Sequence, residues 1–243
     1  MVNFKTRIGV SSDASAHHKL TIIQEENHPM KQMVSRAFSM LLLVLVTLTG
    51  CIPDASQAEE FKQGEHYTVI ANPIPTNAPE GKVDVTELFW YGCPHCFALE
   101  PTIEKFLKNK PENIVFQRVP ATLSPRWAYH ARLFYVGQML DPNGEKHIHT
   151  KIFEAIQKQH RRIDNDDALM RFFTDNGFST EQVRNVLSSM EMMANLARAD
   201  EIGSKSGADS VPTIIVNGKY MTSPSMVGSE EKLLQVIDYL SKR

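Results

Sequence analysis

The chain has 243 residues, enough for one large domain or two small ones, and its 42% hydrophobic content is that of a soluble globular protein. A formal net charge of −2, with no basic patch interleaved with aromatics, gives no reason to expect nucleic acid as a partner. Three cysteines, Cys51, Cys93 and Cys96, are too few for a disulfide-stapled scaffold, so stability must come from a packed core.

The N-terminal part reads as a targeting segment. Lys31 and Arg36 precede an apolar run over 37–48, which is too short for a comfortable membrane span and has the length of a secretory signal. Two processing routes are open. Ser56-Gln57-Ala58 places small residues where a signal peptidase reads, and cleavage after Ala58 would release a soluble protein starting at Glu59. Leu48-Thr49-Gly50-Cys51 instead has the form of a lipobox, with Cys51 lipidated and retained as an anchor. Residues 1–29 are polar and lie upstream of a complete signal, so translation is expected to start at Met30 or Met33.

The rest alternates between strand and helix signals. A short strand is expected over 66–70, then a Pro- and Asn-rich loop over 72–79, then a strand over 83–90. Phe97, Leu99, Ile103, Phe106 and Leu107 recur at helical spacing, and Asn109-Lys110-Pro111 stops that helix. A strand over 113–119 completes a strand–helix–strand unit, which favours a parallel pair. Helical patterns then fill 127–140, 147–159, 166–174 and 190–205, and Ser179 with Gln182 forms a capping box that opens another helix. Strand signal returns over 213–216 and 219–222 around the hairpin turn Asn217-Gly218, and a last helix spans 230–240. The pattern is a small mixed sheet with flanking helices, interrupted by an all-helical block.

The chemistry centres on Cys93-Pro94-His95-Cys96. Cys93 falls where a strand ends and a helix begins. Unpaired N–H groups and the positive end of the helix dipole stabilise an anion there, so Cys93 is the expected nucleophile, with a lowered pKa. Cys96 lies one turn further in, placed to attack a mixed disulfide formed at Cys93. Pro94 suits the first helical turn, where a missing N–H costs nothing. His95 can stabilise the neighbouring thiolate, which favours the reduced form and makes the disulfide more oxidising. A zinc site would need a second Cys/His pair at suitable spacing, which is missing, and Phe97 occupies the position where haem attachment needs histidine. A structural disulfide is the remaining alternative.

Phe89-Trp90-Tyr91-Gly92 before the cysteines, Glu100-Pro101 after them, and Val211-Pro212-Thr213 downstream together resemble the DsbA family of thiol-disulfide oxidoreductases. The resemblance runs from about Phe61 to the C-terminus. It implies an α/β thioredoxin-like fold with an inserted all-helical domain that caps the site. The thioredoxin-like domain would comprise 59–123 with 208–243, the helical insertion 124–207, and 1–58 would be removed. It implies a cis peptide before Pro212, which would place the Val211 backbone beside the disulfide to pair with an extended substrate. It also implies that Glu87 is buried beneath the disulfide and handles the proton of Cys96. Glu100 and Arg118 match a charge pair that modulates the thiols. Arginine stands where lysine is common, and it does not titrate usefully. Read from the residues alone, Glu87 could face solvent, and Glu100 with Arg118 could be a surface ion pair of little worth.

The activity implied is a periplasmic dithiol oxidase. It would need no cofactor beyond its Cys93–Cys96 disulfide, act as a monomer on reduced unfolded secreted proteins, and be reoxidised by a quinone-linked, DsbB-like membrane partner. A disulfide isomerase or reductase is the alternative; the short stretch before the catalytic strand leaves no room for the dimerisation domain that isomerases of this superfamily usually carry. A chaperone-like binding module with incidental cysteines is a further possibility. His147 and His149, two apart on a helix, read as solvated surface histidines, and Met190, Met192 and Met193 as core filler rather than a substrate groove.

Overall fold

The structure is a computed structural model that describes residues 61–243. The expected signal, the cleavage site near Ala58, Cys51 and the start at Met30 or Met33 lie outside the described residues.

Five strands form one mixed sheet: β1 Thr68–Val69, β2 Val83–Phe89, β3 Ile114–Pro120, β4 Thr213–Val216 and β5 Tyr220–Thr222, in spatial order β1-β5-β4-β2-β3. Helix α1, Pro94–Asn109, connects β2 to β3, which pair in parallel as the strand–helix–strand pattern requires. The other pairings are antiparallel. Between β3 and β4 the chain forms α2 Pro125–Leu140, α3 Ile148–Gln157, α4 Asp166–Asp175, α5 Thr180–Leu187 and α6 Met190–Ser206. It closes with α7 Pro224–Val227 and α8 Glu230–Leu240.

Strand β2 lies inside the sheet between β4 and β3, and all of its residues are buried. Its alternation assigns the two faces of the sheet. Val83 and Val85, with Ile214 and Val216 of β4, pack in one apolar cluster with Leu99 and Ile103 of α1 and Leu233, Val236 and Ile237 of α8. Leu88, Val119 and Ile215 belong to a second cluster with Leu133 and Phe134 of α2, Ile152 and Phe153 of α3, and Ala199 and Ile202 of α6. The active-site loop leaves the C-terminal end of β2, between these two clusters.

Local signals set the boundaries. Ser124, Asn165, Ser179, Ser189, Ser223 and Ser229 each cap a helix by accepting a backbone N–H. The capping box of Ser179 and Gln182 is formed in both directions. At the β4–β5 hairpin, Asn217 and Gly218 both have positive φ, 52° and 61°. A Cβ on Gly218 would stand 1.9 Å from the Ile74 carbonyl oxygen, so only glycine fits that turn.

Two expectations change, and one short helix was not anticipated. The strand expected over 66–70 is only two residues long, because Thr68 and Val69 alone pair with β5 while His66 is taken up by a turn with Lys62. Helix α7 carries a Ser-Pro start but is too short to show a period. Of the three methionines expected in the core, only Met192 is buried; Met190 is 82% and Met193 59% exposed, because the helical period turns them away from the face that holds Met192 and Ala199.

Candidate active site

Cys93 is the N-cap of α1, with extended backbone, and its sulfur accepts the Cys96 N–H at 3.4 Å. Pro94 fills the first helical turn, and Pro94 and His95 are exposed. Cys93 is 7% exposed and Cys96 fully buried. The loop before them is shaped by Trp90, whose ring stacks on Trp127 of α2 at 4.5 Å and 12° and also lies over His130. A Cβ on Gly92 would meet the Trp90 ring at 2.2 Å, so the indole occupies the space a side chain there would need.

The two thiols are driven apart electrostatically. The hydrogen bond from the Cys96 thiol acts first. Working against burial, the N–H groups of Cys96 and His95 and the charge of His95 add to it, bringing Cys93 down to about 6. Cys96 moves the other way: burial, then the bond to Cys93, the Cys93 charge and the Glu87 charge push its thiol far up. Near neutral pH the reduced pair is therefore a thiolate at Cys93 and a thiol at Cys96.

Two further elements reach this pair. The Val211–Pro212 peptide before β4 is cis, and the Val211 carbonyl oxygen lies 3.4 Å from Cys93 Sγ. From the α1 side of the sheet comes Glu87, wholly buried, with no hydrogen-bond partner on either carboxyl oxygen. Burial outweighs the opposing charge of Arg118 and lifts the Glu87 carboxyl to about 8. Arg118 Nε lies 3.4 Å from Glu87 Oε2, and its Nη2 donates to Glu100 and to Glu104, each at 3.0 Å. Arg118 and Glu100 are thus part of a partly buried network around Glu87 rather than a solvated surface pair.

One participant was not anticipated. His149, expected at the surface, instead packs edge-on against Phe89, Phe134 and Phe153 and bridges Tyr91 and Glu100. Its neighbour His147 does face solvent. Nothing local marks the difference, since the pocket that receives His149 is assembled from β2, α1, α2 and α3. Among the described residues no three His, Cys, Asp or Glu side chains are grouped as metal ligands would be.

The model of the DSBA-like thioredoxin domain matches residues 84–233, the span from β2 into α8. Among curated relatives, the thiol:disulfide interchange protein DsbA of Pseudomonas syringae pv. tomato is 37% identical over 199 residues, covering 82% of this chain and 90% of its own. The protein of that name from Pseudomonas aeruginosa is 31% identical over 206 residues, 84% of this chain and 96% of its own. A crystal structure of Pseudomonas aeruginosa DsbA superimposes with a TM-score of 0.69 at 31% identity, covering 75% of this chain and 93% of that one. An oxidoreductase DsbA from Xylella fastidiosa gives 0.67 at 30% identity, covering 75% and 97%.

Proposed function

Because the chain belongs to the DsbA-like thioredoxin family and is a thiol:disulfide oxidoreductase of that fold, we propose that it works as a disulfide donor, passing the Cys93–Cys96 disulfide to reduced, unfolded secreted proteins. The observation that carries the direction is the placement of Cys93 at the mouth of α1 under the N–H of Cys96. Stabilising the thiolate stabilises the reduced enzyme, so the oxidised enzyme gives its disulfide away.

The steps follow from the side chains present. A substrate thiolate attacks Cys93 Sγ, the Cys93–Cys96 bond breaks, and Cys96 leaves with the electron pair. Glu87, protonated below about 8, supplies the proton that Cys96 needs as a thiol. A second substrate thiolate then attacks the substrate sulfur of the mixed disulfide, forming the substrate disulfide and releasing Cys93 as its stabilised thiolate. Val211 offers its backbone beside Cys93 to an extended substrate segment, and Pro212, which cannot donate, keeps that position free of competing pairing. His95 and Pro94 complete the exposed rim, and Glu100 and Arg118 tune Glu87.

We further propose a thioredoxin-like domain of 59–123 with 208–243, a helical insertion of 124–207, and a monomer. The basic and apolar signal before residue 49 supports export to the periplasm and release after Ala58, with anchoring through Cys51 as the second route. Mass spectrometry of the mature N-terminus distinguishes them: a start at Glu59 supports release, and a diacylglyceryl group on Cys51 overturns it. Among the described residues no helix is long and apolar enough to cross a membrane. Reoxidation falls to a quinone-linked membrane protein of the DsbB kind. The enzymatic reading is tested by oxidative folding of a reduced, disulfide-containing substrate: the oxidised protein accelerates it, and Cys93→Ser abolishes the effect. Full retention by Cys93→Ser would leave a binding module in place of an enzyme.

A further inference from the structure

Side chains from different elements form a continuous polar chain that ends at Glu87. Tyr91, in the loop after β2, donates its hydroxyl to His149 Nδ1 at 2.8 Å. His149 of α3 bonds Glu100 Oε1 of α1 through Nε2 at 3.2 Å. The other oxygen of Glu100 accepts from Arg118 Nη2 of β3 at 3.0 Å, and Arg118 Nε faces Glu87 Oε2 of β2 at 3.4 Å. The histidine tautomer follows from its partners. An ionised Glu100 only accepts, so Nε2 carries the proton, and Nδ1 is left to accept from Tyr91.

We propose that His149 is a positioning residue for the exchange reaction, controlling the proton acceptor of Cys96 by holding Glu100 so that Arg118 stays turned toward Glu87. This rests on the reading of Cys93, Cys96 and Glu87 given above. With His149 on Oε1, Glu100 has one oxygen for Arg118, and the guanidinium keeps its Nε edge for Glu87. Without His149, Oε1 is free, and Glu100 can grip the guanidinium with both oxygens in the forked geometry that arginine–carboxylate pairs favour. Glu87 then loses its attractive charge, while Glu100 and Glu104 continue to oppose its ionisation.

The groups that face His149 can be named from every element around it. They are Tyr91, Glu100 and Glu104, and Arg118, with Phe89, Phe134 and Phe153 completing an apolar wall. Burial keeps the imidazole neutral against the pull of Glu100, as an acceptor at Nδ1 requires. A cavity of about 620 Å³ lined by Tyr91, Arg118, Phe134 and His149 opens on the same chain, so its middle members, His149 and Arg118, meet water while Tyr91 and Glu87 at its two ends stay buried.

The test is oxidation of the reduced mature protein by glutathione disulfide, followed by stopped-flow Trp fluorescence across pH. In the first phase the Cys93 thiolate attacks the disulfide, releasing one glutathione thiolate. In the second, Cys96 attacks Cys93 Sγ, its proton passes to Glu87, and the other glutathione thiolate leaves. The two Cys electrons are thereby transferred to glutathione. His149→Phe keeps the ring contacts but removes both polar ones. It should raise the pH midpoint of the second phase by about one unit, a roughly ten-fold slower step on the acid side, with the first phase unchanged. His149→Gln, which restores an N–H toward Oε1, should return most of the loss. Glu100→Gln, in which the His149 ring is untouched, should move the midpoint down, because a repelling charge is gone and Arg118 is released to Glu87. In that background His149→Phe should have no further effect. A second-phase profile of His149→Phe matching the wild type overturns the proposal, as does a His149→Gln variant as impaired as His149→Phe, or a His149→Phe shift that persists in Glu100→Gln. Absence of the first phase in the wild type would instead remove the assignment of Cys93.

Discussion

Glu87 of β2 stands directly opposite Arg118 of β3 in the parallel register, with Arg118 Nε 3.4 Å from a carboxyl group that has no hydrogen bond and no exposure to solvent. A buried acid paired so loosely costs stability whenever it is ionised. In the unfolded chain Glu87 ionises near 4.5, and in the folded protein only at about 8. Between those values the folded state holds the extra proton, so its stability falls as pH rises.

Glu87→Gln removes that loss. The variant should be more stable than the wild type at pH 7.5, by on the order of 1–3 kcal/mol, and nearly equal to it at pH 4.5. Thermal unfolding at the two pH values, in the same redox state, checks the sign. The variant should also slow the step that moves the Cys96 proton. An unfolding midpoint displaced equally at both pH values would contradict the burial of an ionisable Glu87.

Cys93 gives the opposite sign. Its thiol titrates at about 6 in the folded reduced protein against an ordinary 9.0, so the thiolate contributes stability that is present above 9 and lost as pH falls through 6. The oxidised protein has no such group. The unfolding midpoint of the reduced form should therefore gain on that of the oxidised form between pH 5 and pH 8, with a difference on the order of 2–4 kcal/mol across the range. A constant gap would mean that Cys93 is not selectively stabilised as its anion.

His95 adds its charge to the N–H groups that hold the Cys93 thiolate, so His95→Leu removes one contribution and leaves the backbone ones. Titration of the thiolate absorbance should show Cys93 displaced upward by less than about one unit, and the couple should become more reducing by less than about 30 mV. An unchanged titration would assign the whole effect to Cys96 and the helix start.

Gly92→Ala tests the aromatic floor. The added methyl would collide with the Trp90 ring and force it off Trp127, at a cost of about 1–3 kcal/mol. Loss of the stacked indole signal in near-UV circular dichroism should accompany a lower unfolding midpoint. A variant with native stability would show that the loop yields without moving the ring.

What could be read from the sequence was what is local in it. The Ser179 and Gln182 capping box, the Asn217-Gly218 turn and the placing of Cys93 between a strand and a helix each depend on residues within a few positions of one another. The mixed sheet and the helical block between β3 and β4 followed from the same periodicities. Contacts across the chain carried no such signal. The facing of Glu87 and Arg118 is a matter of strand register, and the seat of His149 exists only after four elements have packed. Met190 and Met193 misled because apolar character indicates a core only when the helix turns it inward.

The most direct measurement is the equilibrium of the Cys93/Cys96 pair against glutathione buffers, using the mature protein and quantifying the reduced and oxidised forms. Thiolate stabilisation at the mouth of α1 predicts a couple far more oxidising than the value of about −270 mV typical of thioredoxin, with the pair largely reduced in buffers that leave thioredoxin oxidised. A potential at or below that value would contradict the donor role and make the protein a reductase or isomerase component with the same fold.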